Sequence, residues 1–262
     1  MLLTVIYAAL STAATALIYW GCPTLSLWWL LPIWLGLFLA LGIAYVLFWV
    51  VFFLIVPSNP HAEWLKRLQT WNITRVFRWF FLLCGTRCPL HNAEAMPDGG
   101  FLLVSNHRTA LDPFAMLAAL DGPHLRYVAK EEIFRVPVVG PLLSRIFFLS
   151  IDRKNPRNAV TSIKKAAEYI SDNGMSVGIF PEGTRSKDGT LLPFHAGSFK
   201  IAKMAGCPVV VTGLKVDRRK GRMPACYEMQ VLAVIPAEEV ATATTNELCA
   251  RAESLIREHL GQ

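Results

Sequence analysis

The stretch that decides the fold is FLLVSNHRTALDPF, residues 101–114. It begins with the apolar run Phe101–Val104, which has the character of a short strand, and Pro113 opens a helical pattern of apolar residues. Asp112 stands at the predicted N-cap of that helix, with Pro113 at its first position. The sequence therefore predicts a strand that turns through a loop into a helix.

The loop of this unit carries a candidate catalytic pair, His107 and Asp112. On one continuous helix, five residues at about 100° each would leave the two side chains about 140° apart and unable to meet. On a loop, the His107 ring can fold back onto the Asp112 carboxylate, which holds one ring nitrogen protonated and leaves the other free as a base. The pair predicts general-base chemistry, although a helix cap and an ordinary turn histidine explain this stretch alone equally well.

The sequence offers this pair no protein nucleophile. It contains no Gly-x-Ser-x-Gly motif, and no cysteine lies beside His107 or Asp112. We therefore expect the attacking group to be a hydroxyl of the substrate.

The composition separates an apolar beginning from a basic remainder. Hydrophobic residues make up 53% of the 262-residue chain, and the first Asp, Glu, Lys or Arg residue is Glu63. The net charge of +7 therefore belongs to residues 63–262. A basic surface there suits anionic lipid, a phosphorylated substrate or an acidic carrier protein, and nucleic acid is the weaker option.

The cysteines give no metal or disulfide pattern. The one close pair has the spacing C-x3-C, without a second pair or clustered histidines. We expect reduced, structural thiols in a cytoplasmic protein. The six are Cys22, Cys84, Cys88, Cys207, Cys226 and Cys249.

Residues 1–60 predict a membrane helical hairpin. Met1–Trp20 is uncharged, long enough to cross a hydrocarbon core of about 30 Å, and lacks the basic start of a secretory signal. After a breaker at residues 21–24, Leu25–Val56 would measure about 48 Å as one helix, so it must tilt, bend near Pro32 or protrude. The first basic residues follow this second run, which places the rest of the chain on the cytoplasmic face of the cell membrane. A hairpin that enters one leaflet without crossing stays open.

Residues 61–96 predict a linker helix at the membrane surface. Trp64–Cys84 mixes aromatic and basic side chains, the blend that is typical of a helix at headgroup level. A buried helix with a solvated basic face explains the same pattern equally well.

Residues 97–262 predict a cytoplasmic α/β domain in which helices cover a sheet. The clearest helix is Asn158–Asn173, stopped by Gly174, and Val177–Phe180 and Pro208–Leu214 are predicted strands. The helix carries a predicted apolar stripe of Val160, Ile163, Ala167 and Ile170.

The segment FPEGTRS, residues 180–186, is a candidate phosphate site because it directly follows a predicted strand. Gly183 lets the backbone approach a ligand, and Arg185 can fork onto phosphate oxygens. Glu182 would repel a phosphate unless it faced an arginine or a substrate hydroxyl, so we assign it to orientation. A plain turn with a surface arginine is the alternative.

A second candidate for the phosphate is Arg153, which follows an apolar run and has Asp152 beside it to hold it in place. Lys130 is a weaker member of the same group. A surface ion pair between Asp152 and Arg153 explains that dipeptide as well.

The order of these elements resembles the glycerolipid acyltransferase family, specifically its bacterial 1-acylglycerol-3-phosphate acyltransferases. The resemblance covers roughly residues 101–214 and rests on Asn106-His107 with four residues before Asp112, then residues 151–153, 180–186 and the strand from Pro208. It implies a mixed sheet with helices and an N-terminal membrane-associated helical pair. Residues 209–213 lack the second proline that many relatives carry in the last motif.

The resemblance also implies roles for individual residues. His107 is the base and Asp112 its orienter, and the contacts to the substrate phosphate fall to Arg153, Glu182, Gly183 and Arg185. Donors for the oxyanion are unassigned, with backbone N–H groups near Gly183 or at the start of the Pro113 helix as candidates. No cofactor or metal is required.

The implied reaction moves a fatty acyl group from a thioester, either acyl-CoA or acyl carrier protein, to the sn-2 hydroxyl of 1-acylglycerol 3-phosphate (lysophosphatidic acid), giving phosphatidic acid. A sibling enzyme that acylates glycerol 3-phosphate or another lysolipid stays open. An inactive membrane scaffold that binds lipid is the alternative from a different class, against which the intact His107, Asp112, Glu182 and Arg185 argue.

Overall fold

The structure is a computed structural model that describes residues 2–22, 24–55, 62–120, 125–137, 139–146, 148–151, 156–186, 188–217 and 223–262. The chain forms two compact units, Met1–Val56 and Pro57–Gln262.

The first unit is a helical hairpin. Helix α1 is Leu2–Gly21, and α2 is Leu30–Ile55 after a short 3-10 turn. The helices run antiparallel, because Trp34 Nε1 donates a hydrogen bond to Thr12 Oγ1 at 3.0 Å while the rings of Tyr7 and Tyr45 meet at 6.1 Å.

Helix α2 has the length and composition needed to cross a membrane, whereas the apolar part of α1, Val5–Gly21, is shorter. The 26 residues of α2 span about 39 Å. Pro32 lies in its first turn, where a missing N–H breaks no hydrogen bond within the helix. Helix α2 therefore does not need a bend at Pro32, and because about 39 Å still exceeds a hydrocarbon core of about 30 Å, tilt and protrusion remain the alternatives.

The second unit is built on seven strands among the described residues. They are β1 (Leu90–His91), β2 (Leu102–Ser105), β3 (Leu125–Lys130), β4 (Leu149–Ile151), β5 (Ser176–Ile179), β6 (Val209–Asp217) and β7 (Cys226–Ile235). The spatial order is β1-β7-β6-β2-β5-β3-β4. Only β6 and β7 pair antiparallel. The predicted α/β class with a mixed sheet is confirmed.

Eight helices of the described residues surround this sheet. They are α3 (Glu63–Leu83), α4 (Asp112–Ala119), α5 (Glu131–Phe134), α6 (Val139–Arg145), α7 (Pro156–Ser171), α8 (Lys200–Ala205), α9 (Ala237–Thr242) and α10 (Thr245–Leu260). Side chains of α7, α8 and α10 share one core cluster with β2, β5 and β6. Helices α3 and α4 pack on each other, and their Phe77 and Phe114 rings stack at 4.2 Å.

The sheet brings the ends of its parallel strands to one edge. Strands β2 and β5 are direct neighbours, and β3 is the next neighbour of β5. Residues 102–104 of β2 are fully buried, as the apolar run predicts for a central strand covered on both faces. The segments that follow β2 and β5, with His107 and residues 180–186, therefore lie side by side.

Two details differ from the sequence expectation. Residues 61–96 do not form a separate linker, because α3 packs on α4 and β1 pairs with β7 inside the second unit. The stripe of α7 is also shifted, since Val160 is 59% exposed and Ala166 is buried in its place. Val160 lies in the first turns of the helix, at the flank of the buried stripe.

Helix α3 combines the two alternatives considered for it. One face is buried through Leu65, Ile73 and Phe81, whereas Trp64 and Leu82 are more than 60% exposed. Its position at a membrane surface stays a prediction.

Candidate active site

The loop between β2 and α4 brings His107 and Asp112 into contact. The Nδ1 atom of His107 lies 2.8 Å from Oδ2 of Asp112, whose side chain is 1% exposed. The loop reverses the chain within five residues, as the strand-loop-helix prediction requires. This arrangement is the one that the sequence proposed for a general-base pair.

The carboxylate of Asp112 collects three further donors from the same loop. Its Oδ2 accepts the N–H groups of Arg108 and Thr109 at 2.6 and 2.7 Å, and its Oδ1 accepts the Thr109 hydroxyl at 2.6 Å. A carboxylate that accepts hydrogen bonds from several donors is fixed in position. Asp112 is therefore anchored before any substrate arrives.

The predicted capping role of Asp112 differs in the structure. Helix α4 begins at Asp112 itself, Leu111 is the N-cap residue, and no side-chain cap hydrogen bond is formed. The carboxylate turns back toward the loop because the N–H groups of Arg108 and Thr109 are nearer partners. The alternative in which Asp112 only caps the helix does not describe this geometry.

The imidazole of His107 is fixed in tautomer and in orientation. Because Nδ1 faces a carboxylate that only accepts, Nδ1 carries the proton and Nε2 keeps its lone pair. Among the described residues Nε2 has no hydrogen-bond partner, and the side chain is 19% exposed. One face of the ring lies on Phe180 with centroids 4.1 Å apart. This leaves one basic nitrogen available to a ligand.

Glu182 ties the two site loops together. Its Oε1 accepts the backbone N–H of His107 at 2.6 Å, and its Oε2 accepts that of Leu192 at 3.1 Å. Burial raises the pKa of Glu182, while the two N–H donors and the nearby His107 and Arg108 act in the opposite direction. The carboxylate faces backbone amides, which suits its predicted orienting role more than direct contact with a phosphate.

The described members of the predicted phosphate group lie at the ends of two neighbouring strands, β3 and β5. Gly183 has φ 73°, a left-handed conformation that favours glycine, and its N–H donates to Phe180 O at 3.1 Å. Arg185 is exposed and has no side-chain partner among the described residues. Lys130 ends β3 and lies 3.1 Å from Glu132 in an exposed ion pair. Arg153 and Asp152 lie outside the described residues.

The backbone hydrogen bonds show which of the candidate N–H donors for the oxyanion are already in use. The N–H of Gly183 is already used, and Pro113 at the start of α4 has none. In the described part of the chain, the N–H groups of Thr184 and Arg185 have no acceptor. The N–H of Phe114, in the first turn of α4, has no acceptor there either, so the loop after Gly183 and the start of α4 both offer backbone donors.

Sequence reasoning missed several residues that position the pair. The buried Asn106 side chain donates to Leu214 O at 2.9 Å and accepts from Leu214 N at 2.8 Å, which joins the end of β2 to β6. Thr109 Oγ1 lies 3.0 Å from the Tyr227 hydroxyl. Asn106 had a signal, as an amide directly after a buried strand, whereas the partner of Thr109 lies 118 residues away in the chain.

Within the described ranges, no three His, Cys, Asp or Glu side chains are arranged to hold a metal ion. The donor set of the site consists of one imidazole and carboxylates already occupied by N–H groups.

The His107–Asp112 pair and the 180–186 loop lie at the strand ends of a mixed α/β sheet. The family model for acyltransferases matches residues 87–215, a range that contains both site loops and covers just under half of the chain. This match agrees with the resemblance to the glycerolipid acyltransferase family.

Known relatives are similar in sequence to parts of the chain. A chloroplastic 1-acyl-sn-glycerol-3-phosphate acyltransferase of Brassica napus is 42% identical over 123 residues, which are 46% of this chain and 35% of the relative. The Cocos nucifera enzyme of the same name is 28% identical over 219 residues, 81% of this chain and 70% of that protein. The chain thus spans well under half the length of the first of these relatives.

One solved structure has the same fold. The crystal structure of the 1-acyl-sn-glycerophosphate (LPA) acyltransferase PlsC from Thermotoga maritima superposes with a TM-score of 0.66 at 21% identity, covering 85% of this chain and 94% of that one. At this identity the likeness establishes the fold. The assignment to a bacterial subgroup stays a prediction.

Proposed function

We propose that this protein transfers a fatty acyl group from an acyl thioester to the sn-2 hydroxyl of 1-acylglycerol 3-phosphate, which forms phosphatidic acid. The observation that carries the proposal is the buried Asp112 carboxylate on Nδ1 of His107, with Nε2 free. The names of the relatives support the same reaction class.

His107 acts as the base and then as the acid. Its Nε2 takes the proton from the acceptor hydroxyl while that oxygen bonds to the thioester carbonyl carbon. The tetrahedral intermediate collapses, the carbon–sulfur bond breaks, and the thiolate leaves with the proton returned by Nε2. Asp112 stabilises the imidazolium that exists between the two steps.

The phosphate of the acceptor is bound at the rim of the site. Arg185 is exposed, lies three residues after Glu182 in the 180–186 loop, and presents a fork of donors that matches phosphate oxygens. Lys130 joins it at little cost, because its exposed ion pair with Glu132 is weak. Arg153 completes the proposed set, and Gly183 lets the backbone approach the ligand. Glu182 contributes by fixing the backbone of His107.

Membrane attachment suits the substrates. The acceptor and the product are bilayer lipids, so a chain with an apolar helix such as α2 stays where they are found. We place the second unit on the cytoplasmic face, where acyl-CoA and acyl carrier protein are available. Both donors are anionic, which fits the net charge of +7.

The test is an acyl-transfer assay with the purified full chain in lipid micelles. Lysophosphatidate and glycerol 3-phosphate are each offered with acyl-CoA and with acyl carrier protein. We expect transfer to lysophosphatidate with at least one donor. Preference for glycerol 3-phosphate would replace the proposed acceptor, and no transfer to either acceptor would contradict the proposed function.

A further inference from the structure

Residues 189–195, which we call the strap, form no strand, yet every backbone N–H group in them has an acceptor. They lie between the 180–186 loop and a short 3-10 turn, and form neither helix nor strand. Pro193 has no N–H, and every other N–H from residue 191 to 195 has an acceptor. These donors are Leu191, Leu192, Phe194 and His195.

The acceptors alternate between two sides of the strap. Leu191 N donates to Gln262 Oε1 at 2.7 Å, and Phe194 N donates to Glu253 Oε2 at 3.0 Å, both from α10 or its end. Leu192 N instead donates to Glu182 Oε2 at 3.1 Å, on the side of the catalytic loop. The strap is therefore held between α10 and the active site.

The turn at the end of α10 directs the Gln262 side chain toward the strap. Gly261 has φ 73°, and Gln262 N donates to Arg257 O at 3.1 Å, a helix-ending motif that turns the chain back. The Gln262 amide then makes two contacts, since Nε2 donates to Gly189 O at 3.0 Å while Oε1 accepts from Leu191 N. One side chain thus fixes two strap residues.

Two short paths lead from Gln262 to His107. In the first, Leu191 is followed by Leu192, whose N–H is bound by the same Glu182 carboxylate that accepts His107 N. In the second, Gly189 O accepts both from Gln262 and from the guanidinium of Arg108, the residue after His107. Each path consists of direct hydrogen bonds between described residues.

We propose that Gln262 is a positioning residue for His107, acting through the strap and Glu182. Gln262 touches no reacting atom. By binding Leu191, it keeps the N–H of the next residue, Leu192, within hydrogen-bond distance of the Glu182 carboxylate. That carboxylate in turn holds the backbone of His107. The activity readout of this inference rests on the proposed acyl transfer, but its structural readout does not.

The first measurement compares Gln262→Ala with wild type in steady-state kinetics. We expect kcat to fall about tenfold, because small misplacements of a base weaken the transition state. KM for the acceptor should stay within about twofold, since Arg185 is not held by the strap. Glu258→Ala, an exposed change at the same end of α10, is the matched control and should behave as wild type.

A double variant tests the route. If Gln262 acts through Glu182, then adding Gln262→Ala to Glu182→Gln should cost clearly less than about tenfold, because the link is already cut. If the two losses multiply in full, the route through Glu182 is wrong.

Amide hydrogen exchange decides the inference independently of activity. In Gln262→Ala we expect faster exchange at Leu191, Leu192 and His107, with the amides of α7 unchanged. Faster exchange confined to the strap, with His107 unchanged, would overturn the inference. If wild type transfers no acyl group while exchange spreads to His107, the proposed function fails and the positioning role stands.

Discussion

The imidazole of His107 lies flat on the ring of Phe180, with centroids 4.1 Å apart and planes within 9° of parallel. The two residues are 73 positions apart in sequence, yet each lies within two residues of the end of one of two paired parallel strands, β2 and β5. Phe180 in turn stacks on the buried Tyr127 at 5.3 Å. The base is thus clamped by an aromatic face on one side and by Asp112 at its Nδ1 edge.

Replacement of Phe180 by leucine should loosen the base without removing it. Phe180→Leu keeps most of the side-chain volume and loses the stacking, so we expect about 1 kcal/mol less stability and a kcat about tenfold lower. Thermal unfolding and steady-state kinetics check this. Phe80→Leu, in a half-exposed aromatic residue of α3, should leave kcat unchanged. Equal kcat in Phe180→Leu and wild type would show that the stacking plays no part.

Replacement of Asp112 by asparagine should lower kcat more than Phe180→Leu does. An asparagine amide offers donors to groups that already donate, so the tautomer of His107 is no longer fixed and buried N–H groups are left unpaired. We expect kcat to fall by a factor of about 10³–10⁴. Asp98→Asn, in an exposed turn, is the control in the same assay. A fall in kcat of less than about tenfold would show that Asp112 has no catalytic role.

The buried Glu182 should make stability depend on pH in a defined direction. Burial raises its pKa above the usual 4.5 in the folded protein, so between that value and the raised pKa the folded state binds more protons than the unfolded state. The contribution of Glu182 to the free energy of unfolding therefore falls as pH rises through this window. Glu182→Gln cannot titrate and should lack this slope in thermal unfolding across the same pH range. An identical pH dependence in both proteins would contradict the assignment.

Removal of the Arg185 side-chain charge should weaken binding of the phosphate and little else. Arg185 is exposed, so Arg185→Gln should fold normally, and the loss of a charge-assisted contact should raise KM for lysophosphatidate about tenfold or more. Monoacylglycerol, which has no phosphate, should be acylated equally by both proteins. Lys164→Gln on α7 controls for general loss of positive charge. An equal rise of KM for both acceptors would exclude phosphate binding by Arg185.

The local parts of the site could be predicted from the sequence. His107 and Asp112 are five positions apart, so strand, loop and helix signals in one short stretch determine whether they meet. The central strands were also predictable, because β2 and β6 each begin with an apolar run, residues 102–104 and 209–211. The capping role of Asp112 was misassigned because its carboxylate chooses between loop and helix amides by distances that a sequence does not contain.

The long-range contacts could not be predicted. The bond from His107 N to Glu182 joins residues 75 positions apart, and that from Arg108 to Gly189 joins residues 81 apart. Such pairs depend on which strands become neighbours. The linker of residues 61–96 was separated wrongly from the domain for the same reason, since the partner of β1 is β7, far along the chain.

The measurement that tests the central claim most directly is the rate of acyl transfer to lysophosphatidate by His107→Ala. His91→Ala is the matched control, because the His91 side chain is exposed and its contact with Glu228 is long, at 4.0 Å. We predict that His107→Ala lowers kcat by about 100-fold or more while His91→Ala equals wild type. Transfer by His107→Ala within about twofold of wild type would contradict the role of His107 as the base.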